Sequence, residues 1–318
     1  MEKIKIVKLQ GGMGNQMFQY AFGKGLESKF GCKVLFDKIN YDELQKTIIN
    51  NTGKNAEGIC VRKYELGIFN LNIDFATAEQ IQECIGEKLN KACYLPGFIR
   101  KIFNLSKNKT VSNRIFEKKY GEYDEEILKD YSLAYYDGYF QNPKYFEDIS
   151  DKIKKEFTLP EIKNHDIYNK KLLEKITQFE NSVFIHVRRD DYLNINCEID
   201  LDYYQKAVKY ILKHIENPKF FVFCAEDPDY IKNHFDIGYD FELVGENNKT
   251  QDTYYENMRL MMACKHAIIA NSSYSWWAAW LSDYDNKIVI APTPWLPGIS
   301  NEIICKNWIQ IKRGISNE

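Results

Sequence analysis

Three short stretches bring together groups suited to holding an anion. The first is Gly11-Gly12-Met13-Gly14-Asn15-Gln16, a glycine-rich turn leading into a helical pattern. Such a turn leaves backbone N–H groups and the positive end of a helix pointing outward. Gly12 and Gly14 let the main chain approach a ligand, and Asn15 and Gln16 add amides that can donate to phosphate oxygens or sugar hydroxyls. A purely structural turn with Asn15 as helix cap fits the same residues. It is neither a dinucleotide loop, which would need glycine where Met17 stands, nor a triphosphate loop, since no Gly-Lys-Ser/Thr follows.

The second stretch, Phe184 to Tyr192, ends an apolar run in His186, Arg188, Arg189, Asp190 and Asp191. Arginine offers a planar fork that grips a phosphate with two hydrogen bonds and never loses its charge. Only seven of the 43 basic residues are arginine, so the adjacent pair stands out; a surface ion-pair cluster is the competing reading. The third stretch runs Ile268 to Trp280 and halts an apolar run at Asn271, Ser272 and Ser273 before a helix opens. Its hydroxyls, amide and helix-start N–H groups suit a diphosphate. Trp276, Trp277 and Trp280 follow at helical spacing, for which core packing is the default and sugar or base stacking the alternative.

These stretches need elements to carry them. Ile4 to Leu9 reads as a strand feeding the glycine turn, Asn15 to Phe30 as a helix, and Val34 to Phe36 as a second strand, after which residues 38 to 120 show little periodicity. The second half is clearer. Strand patterns at Val183 to Val187, Phe220 to Cys224, Ala267 to Ala270 and Ile288 to Ala291 alternate with helical patterns at 200–216, 228–235, 252–264 and 275–283. That alternation predicts a doubly wound parallel sheet, whose ligands sit beyond the carboxyl ends of the strands. A domain boundary is expected near Pro160 to Asn164, giving domains 1–160 and 161–318.

Composition narrows the partners. Lys and Arg number 43 against 45 Asp and Glu, a net charge of -2, which argues against a nucleic-acid partner. Residues 88 to 119 are basic and 122 to 130 acidic, read as a solvated face, with a weak contact to an anionic membrane or acidic acceptor as the alternative. Eight cysteines lack any Cys-x-x-Cys, the amino terminus lacks a signal-peptide core, and the uncharged segment 266–282 is too polar to span a bilayer. A cytoplasmic protein without a transmembrane segment is expected. No metal site is expected either: Asp-x-Asp occurs three times, little above its chance frequency, and the five histidines lack ligand spacing.

In order and spacing the three stretches resemble the bacterial α-1,2-fucosyltransferases of glycosyltransferase family 11. The resemblance rests on Gly11 to Ala21, on His186-Val187-Arg188-Arg189-Asp190-Asp191-Tyr192 against the family's His-x-Arg-Arg-x-Asp, and on Asn271 to Trp277 with Ala279-Trp280-Leu281. It implies a GT-B-type α/β fold, two Rossmann-like βα domains facing across a cleft. The amino-terminal domain would take a β-galactoside acceptor and the carboxyl-terminal one the donor GDP-L-fucose, in an inverting transfer with no metal and no cofactor. Related fucosyltransferases imply that Arg188 contacts the donor diphosphate. They imply donor-side roles for Gly12, Gly14, Asn15, Gln16, His186, Asn271, Ser272 and Ser273, while Asp191 is a candidate base. Two departures stand out: Cys224-Ala225-Glu226-Asp227 where the family usually has Phe-Ser-Asp-Asp, and Asn257 where an Asp is common. They motivate a competing expectation, a non-catalytic nucleotide-sugar or glycan binder; a transferase for another phosphate-bearing donor, such as a sulfotransferase, is a third.

Overall fold

The run Ile4–Lys8 is buried at four of its five positions, as a strand inside a parallel sheet must be. In the computed structural model, which describes residues 4–39, 41, 62–85, 113–189, 197–224, 227–248 and 253–314, it lies at the centre of the first of two compact units, Met1–Phe157 and Thr158–Glu318. Each unit is an α/β layer built on a parallel sheet. No described helix is long and apolar enough to cross a membrane.

In the first unit, β1 (Ile4–Lys8), β2 (Lys33–Asp37), β3 (Arg114–Phe116) and β4 (Leu133–Asp137) take the order β2-β1-β4-β3, all parallel. Strand alternation divides the faces. Ile6, Leu35 and Tyr135 point to one side, where α2 (Ala78–Ile85) covers them with Ile81, Cys84 and Ile85. Phe36 and Tyr136 point to the other and meet the Tyr20 and Phe22 rings of α1 (Met13–Phe30). Helix α2 and β3 lie within 38–120, where irregular chain was expected, and β4 follows it. They escape the pattern because β3 has only three residues and because α2 shows a single apolar face over little more than two turns.

A buried charge cluster ties the carboxyl ends of β1 and β4 to the start of β3. Lys8 Nζ lies 3.3 Å from Asp137 Oδ1, and Arg114 grips the other Asp137 oxygen through Nε and Nη2. Burial opposes the Asp137 charge, but Lys8 and Arg114 prevail and hold its carboxyl below the usual range. The end of β1, and with it the glycine turn, is anchored by this pairing.

In the second unit, β5 (Ser182–His186), β6 (Lys219–Phe223), β7 (Phe241–Val244), β8 (His266–Ile268), β9 (Val289–Thr293) and β10 (Ile309–Lys312) form a parallel sheet in the order β10-β9-β8-β5-β6-β7. Side chains start the helices where the sequence supplies them. Asp166 caps α4 (Ile167–Gln178), Asp200 caps α5 (Leu201–His214), Asp227 caps α6 (Pro228–His234) and Ser272 caps α8 (Ser273–Leu281). Helix α3 (Ser150–Glu156) ends the first unit, and α7 (Glu256–Met262) precedes β8. The four expected strands and four expected helices appear with ends displaced by a few residues. The strands that were missed, β7 and β10, are the sheet's two edges, where half-buried alternation such as Ile-Gln-Ile-Lys gives a weak signal.

Helix α8 buries Trp276 and Trp277 completely, and Trp276 Nε1 donates to the Ile303 carbonyl at 2.8 Å. Trp276 also stacks on Trp280 and tilts against Trp308, so the tryptophan trio belongs to the core.

Asn257 is buried as well, in a set of interlocked amides. Asn248 exchanges two 2.9 Å hydrogen bonds with Asn169 and donates to Asn257 Oδ1 at 2.8 Å, while Asn257 Nδ2 donates to the Gly245 carbonyl. Gly245 sits at φ +74°, and a Cβ there would lie 2.1 Å from Asn257 Oδ1, so residue 245 has no room for a side chain. An aspartate at 257 could still accept from Asn248 but could not donate to Gly245. Asn257→Asp is therefore expected to lower unfolding stability by about 1–3 kcal/mol, the cost of leaving a buried partner unpaired. Urea denaturation checks this, and an unchanged midpoint refutes the network's contribution.

Candidate functional site

From β5 the chain moves outward through β6 and β7, then returns to the other side of β5 for β8, β9 and β10. The strand order thus reverses between β5 and β8. Crossovers leave in opposite directions from such a pair, and their carboxyl ends flank an open crevice. Ile185 is in register with Ile268. Three residues beyond each of these stand Arg188 and Asn271, so the topology brings the second and third sequence stretches to one sheet edge.

Helix α5 fixes the two strand ends from below. The Tyr204 hydroxyl donates to the His186 carbonyl at 3.1 Å, and the Tyr203 hydroxyl lies 2.7 Å from the carbonyl of Ile269. His186 is buried, and its Nδ1 has no hydrogen-bond partner among the described residues. Burial, and then the positive charge of Arg188, push its pKa down to about 3, so the ring is neutral at ordinary pH.

The two arginines divide their work. Arg189 is tied to Asp227 Oδ2 at 3.0 Å and Glu198 Oε2 at 3.1 Å, and its guanidinium lies 3.5 Å from the Tyr230 ring centroid. Here the competing reading, an ion-pair cluster, describes Arg189 well. Arg188 is half-buried, and its charge bears on His186. Asp227, the last residue of the departing Cys-Ala-Glu-Asp segment, both caps α6 and holds Arg189. Ala225 lies outside the described residues, as do Asp190 and the candidate base Asp191.

Across the crevice, Ser272 Oγ accepts from the Tyr274 N–H at 3.3 Å and so opens α8 as its cap. Ser273 is the first helical residue and half-exposed. Asn271 is buried and donates to the Cys197 carbonyl at 2.9 Å, which Arg313 Nη1 also reaches at 3.0 Å. Its amide hydrogen bond thus anchors the chain that leads from the Arg188 stretch into α5.

In the first unit the strand order reverses between β1 and β4, and the glycine turn leaves the carboxyl end of β1. Gly11 adopts φ +80°, and a Cβ there would sit 2.3 Å from Asn15 Nδ2, so this position requires glycine. Gly12 is the helix cap and Gly14 is buried in the first turn. Gln16 has another task than the donor contact expected of it. Its Nε2 donates to the carbonyls of Gly11 and Lys63 at 2.9 and 2.7 Å, and its Oε1 accepts from the Glu65 N–H, so the buried amide clips the 63–65 segment to the turn. Asn15 is half-exposed, and its Oδ1 accepts from Gln141 Nε2 at 2.6 Å.

Gln141 belongs to a turn after β4 that sequence reasoning passed over. An Asp-Gly pair, Asp137-Gly138, closing an apolar run was the available signal. Among the described residues no group of three or more His, Cys, Asp or Glu could hold a metal ion. The chemistry present at the β5 and β8 ends is that of a fixed cation, a neutral imidazole and a capped helix start, a set able to stabilise negative charge growing on a phosphate.

The sequence profile of glycosyltransferase family 11 matches residues 94–312. An α-1,2-colitosyltransferase of Escherichia coli is 30% identical over 303 residues, spanning 92% of each chain. The O-antigen biosynthesis glycosyltransferase WbnK of Escherichia coli is 29% identical over 95% of this chain and 99% of its own. A galactoside 2-α-L-fucosyltransferase of Caenorhabditis elegans is 24% identical over 47% of this chain and 43% of its own.

The buried imidazole carries a pH signature. The pKa of His186 is about 3 when folded and 6.5 as the free side chain. Below 6.5 the unfolded chain binds a proton that the folded chain refuses, so stability falls as pH drops from 6.5 towards 3. The His186 ring nitrogens should show neutral-imidazole ¹⁵N shifts down to pH 5, and a midpoint between 6 and 7 refutes the burial argument. His186→Gln should flatten the loss of stability between pH 6.5 and 5 by close to one proton.

Proposed function

The chain belongs to glycosyltransferase family 11 and is a glycosyltransferase, and from that premise we propose that it transfers L-fucose from GDP-β-L-fucose to the C2 hydroxyl of a galactose-terminated glycan, with inversion. The observation that carries the proposal is the meeting of the His186–Arg188 stretch and the Asn271–Ser273 stretch at the strand-order reversal between β5 and β8. The carboxyl-terminal unit is then the donor side and the amino-terminal unit the acceptor side. The six described cysteines are free thiols, which supports a cytoplasmic setting, and the O-antigen role named for one relative supports a surface-polysaccharide precursor as acceptor.

In this reading the sugar leaves through an oxocarbenium-like state as charge grows on the departing GDP. No metal is required, because Arg188, the Ser272 and Ser273 groups and the start of α8 supply fixed donors. Such donors gain strength as charge develops and need no reorganisation. The neutral His186 adds no competing charge next to Arg188 and can offer a ring nitrogen to the nucleotide or phosphate. The acceptor hydroxyl attacks from the opposite face of the sugar, and Asp191 is the candidate to take its proton. Asn257, one of the two departures that favour a non-catalytic binder, is satisfied inside the core and gives that alternative little support.

One observation favours a second donor. The colitosyltransferase relative shares the α-1,2 linkage, and colitose is fucose without its 3-hydroxyl. A site that hydrogen-bonds the 3-hydroxyl rejects the deoxy sugar by about 10⁴-fold or more, whereas one that leaves it in an apolar pocket discriminates by only about 10².

Purified protein incubated with lactose, EDTA and either GDP-fucose or GDP-colitose decides the matter. A 2′-fucosylated product with EDTA present is expected, and transfer only from GDP-colitose reassigns the donor. No transfer to any β-1,3- or β-1,4-linked galactoside refutes the acceptor. Arg188→Ala is expected to lower turnover by about 100-fold or more, the scale for removing one charge-stabilising donor. Near-normal turnover overturns its role.

A further inference from the structure

We propose that His186 takes up a proton when a diphosphate enters the crevice between the ends of β5 and β8, so that donor binding is coupled to protonation of this one side chain. The coupling rests on the donor reading above and involves residues of the second unit alone.

His186 is the last residue of β5 and is 6% exposed. Its Nδ1 has no hydrogen-bond partner, although a buried ring nitrogen ordinarily finds one. Its surroundings are fixed. The Tyr204 hydroxyl donates to the His186 carbonyl from α5, and on the other side the Tyr274 ring is tilted against the imidazole with centroids 6.1 Å apart. Tyr274 is itself tethered, since its hydroxyl donates to the Tyr254 carbonyl at 2.8 Å. It is the second residue of α8, just after the Ser272 cap, so the imidazole lies against the first turn of a nine-residue helix. The positive end of the helix dipole is there.

The charges around the ring keep it neutral while the crevice is empty. Burial acts first and the positive charge of Arg188 second. Phe223, in register on β6, and Ile269 to Ser273 beyond β8 carry no charge. Tyr203 and Tyr204 of α5 stay neutral, because burial holds both hydroxyls well above the usual range. On α7, packed beside α8, Glu256 and Arg259 pair with each other at 2.6 Å. Asp227 and Glu198 are committed to Arg189.

A diphosphate reverses the second cause and offsets the first. Its two negative charges counter the field of Arg188 and give an imidazolium N–H a charged acceptor. An opposite charge nearby raises an imidazole pKa by about 1–3 units, and two charges act at the upper end of that range, so the His186 midpoint moves from about 3 to about 5–6. The crevice then holds a second cation beside Arg188 only while the anion is present. Empty, it is spared the cost of a second buried charge. Because the complex holds this proton more firmly than the free protein does, donor affinity rises as pH falls through that window.

Calorimetry of GDP-fucose binding without acceptor tests the coupling. The sugar ester has no terminal phosphate to titrate, so a proton taken up belongs to the protein. Titrations at about pH 5.5 in two buffers of different ionisation enthalpy should show uptake of about a quarter to three-quarters of a proton. The dissociation constant should fall by about 2- to 10-fold between about pH 7 and pH 5. His186→Gln keeps a neutral hydrogen-bonding side chain and should bind without uptake and without that pH dependence. In the wild-type complex, the assigned His186 ¹⁵N signals should pass to imidazolium values with a midpoint of about 5–6, against about 3 in the free protein.

Binding without proton uptake overturns the coupling and leaves the donor reading standing. Uptake that persists in His186→Gln assigns the proton to another group, such as Asp227 or Glu198, and overturns it as well. Where that variant does not fold, the ¹⁵N midpoint of the wild-type complex decides, and a value unchanged from the free protein sinks the coupling. No binding of GDP-fucose or GDP-colitose at any pH overturns the donor reading and the coupling together.

Discussion

The interaction on which the presented surface depends is the pairing of β5 with β8, the one place in the second sheet where neighbouring strands are not consecutive along one direction of winding. Each strand end in a parallel sheet is normally covered by the crossover that departs from it. Where crossovers leave in opposite directions the ends stay open, and polar residues there such as Arg188 and Ser273 are left partly exposed. Moving either sequence to a strand whose neighbours wind the same way would bury it under a helix and oblige it to become apolar.

Openness alone would not give fixed chemistry, because polar groups at a strand end relax toward solvent. The fold answers by assigning a second set of polar residues to hold the first. Tyr203 and Tyr204 secure the strand-end carbonyls, Arg189 joins Asp227 to Glu198, and Asn271 and Arg313 converge on Cys197. Gln16 clips the glycine turn to the 63–65 segment, and the Lys8, Asp137 and Arg114 cluster anchors the strand before it. In the low-dielectric interior such hydrogen-bonded networks rigidify what they touch. Groups held in this way have their geometry settled before any charge develops beside them.

How much of this could be read from the residues follows from the range of the forces involved. The central strands of the second sheet and the helices beside them were legible, since burial on both faces leaves continuous apolar runs and Asp200, Asp227 and Ser272 mark the helix starts. The edge strands were not, because one open side permits residues such as Gln310 and Lys312. The three anion-seeking stretches were legible as types, but their roles within each stretch were not. Gln16 looks as suited to a ligand as Asn15, and only the positions of Lys63 and Glu65, brought close by long-range packing, commit it elsewhere. Gln141 was invisible for the same reason. Its contact with Asn15 joins residues 126 positions apart, and no local pattern encodes that.

The scarcity of arginine takes on a different meaning in this light. Rarity made Arg188-Arg189 conspicuous, as if each arginine were reserved for a ligand. Yet Arg114 grips Asp137, Arg189 joins Asp227 and Glu198, Arg259 reaches Glu256 and the Pro160 carbonyl, and Arg313 holds Cys197. Three of these cases, Arg189, Arg259 and Arg313, share a demand with phosphate binding: two acceptors at fixed angles, in a partly buried place, met by one planar cation. Lysine, a point charge on a flexible stem, meets that demand poorly. In this chain the choice of arginine over lysine marks places where several acceptors must be held at once. What sets Arg188 apart from these is its position beyond the end of β5, at the reversal of strand order.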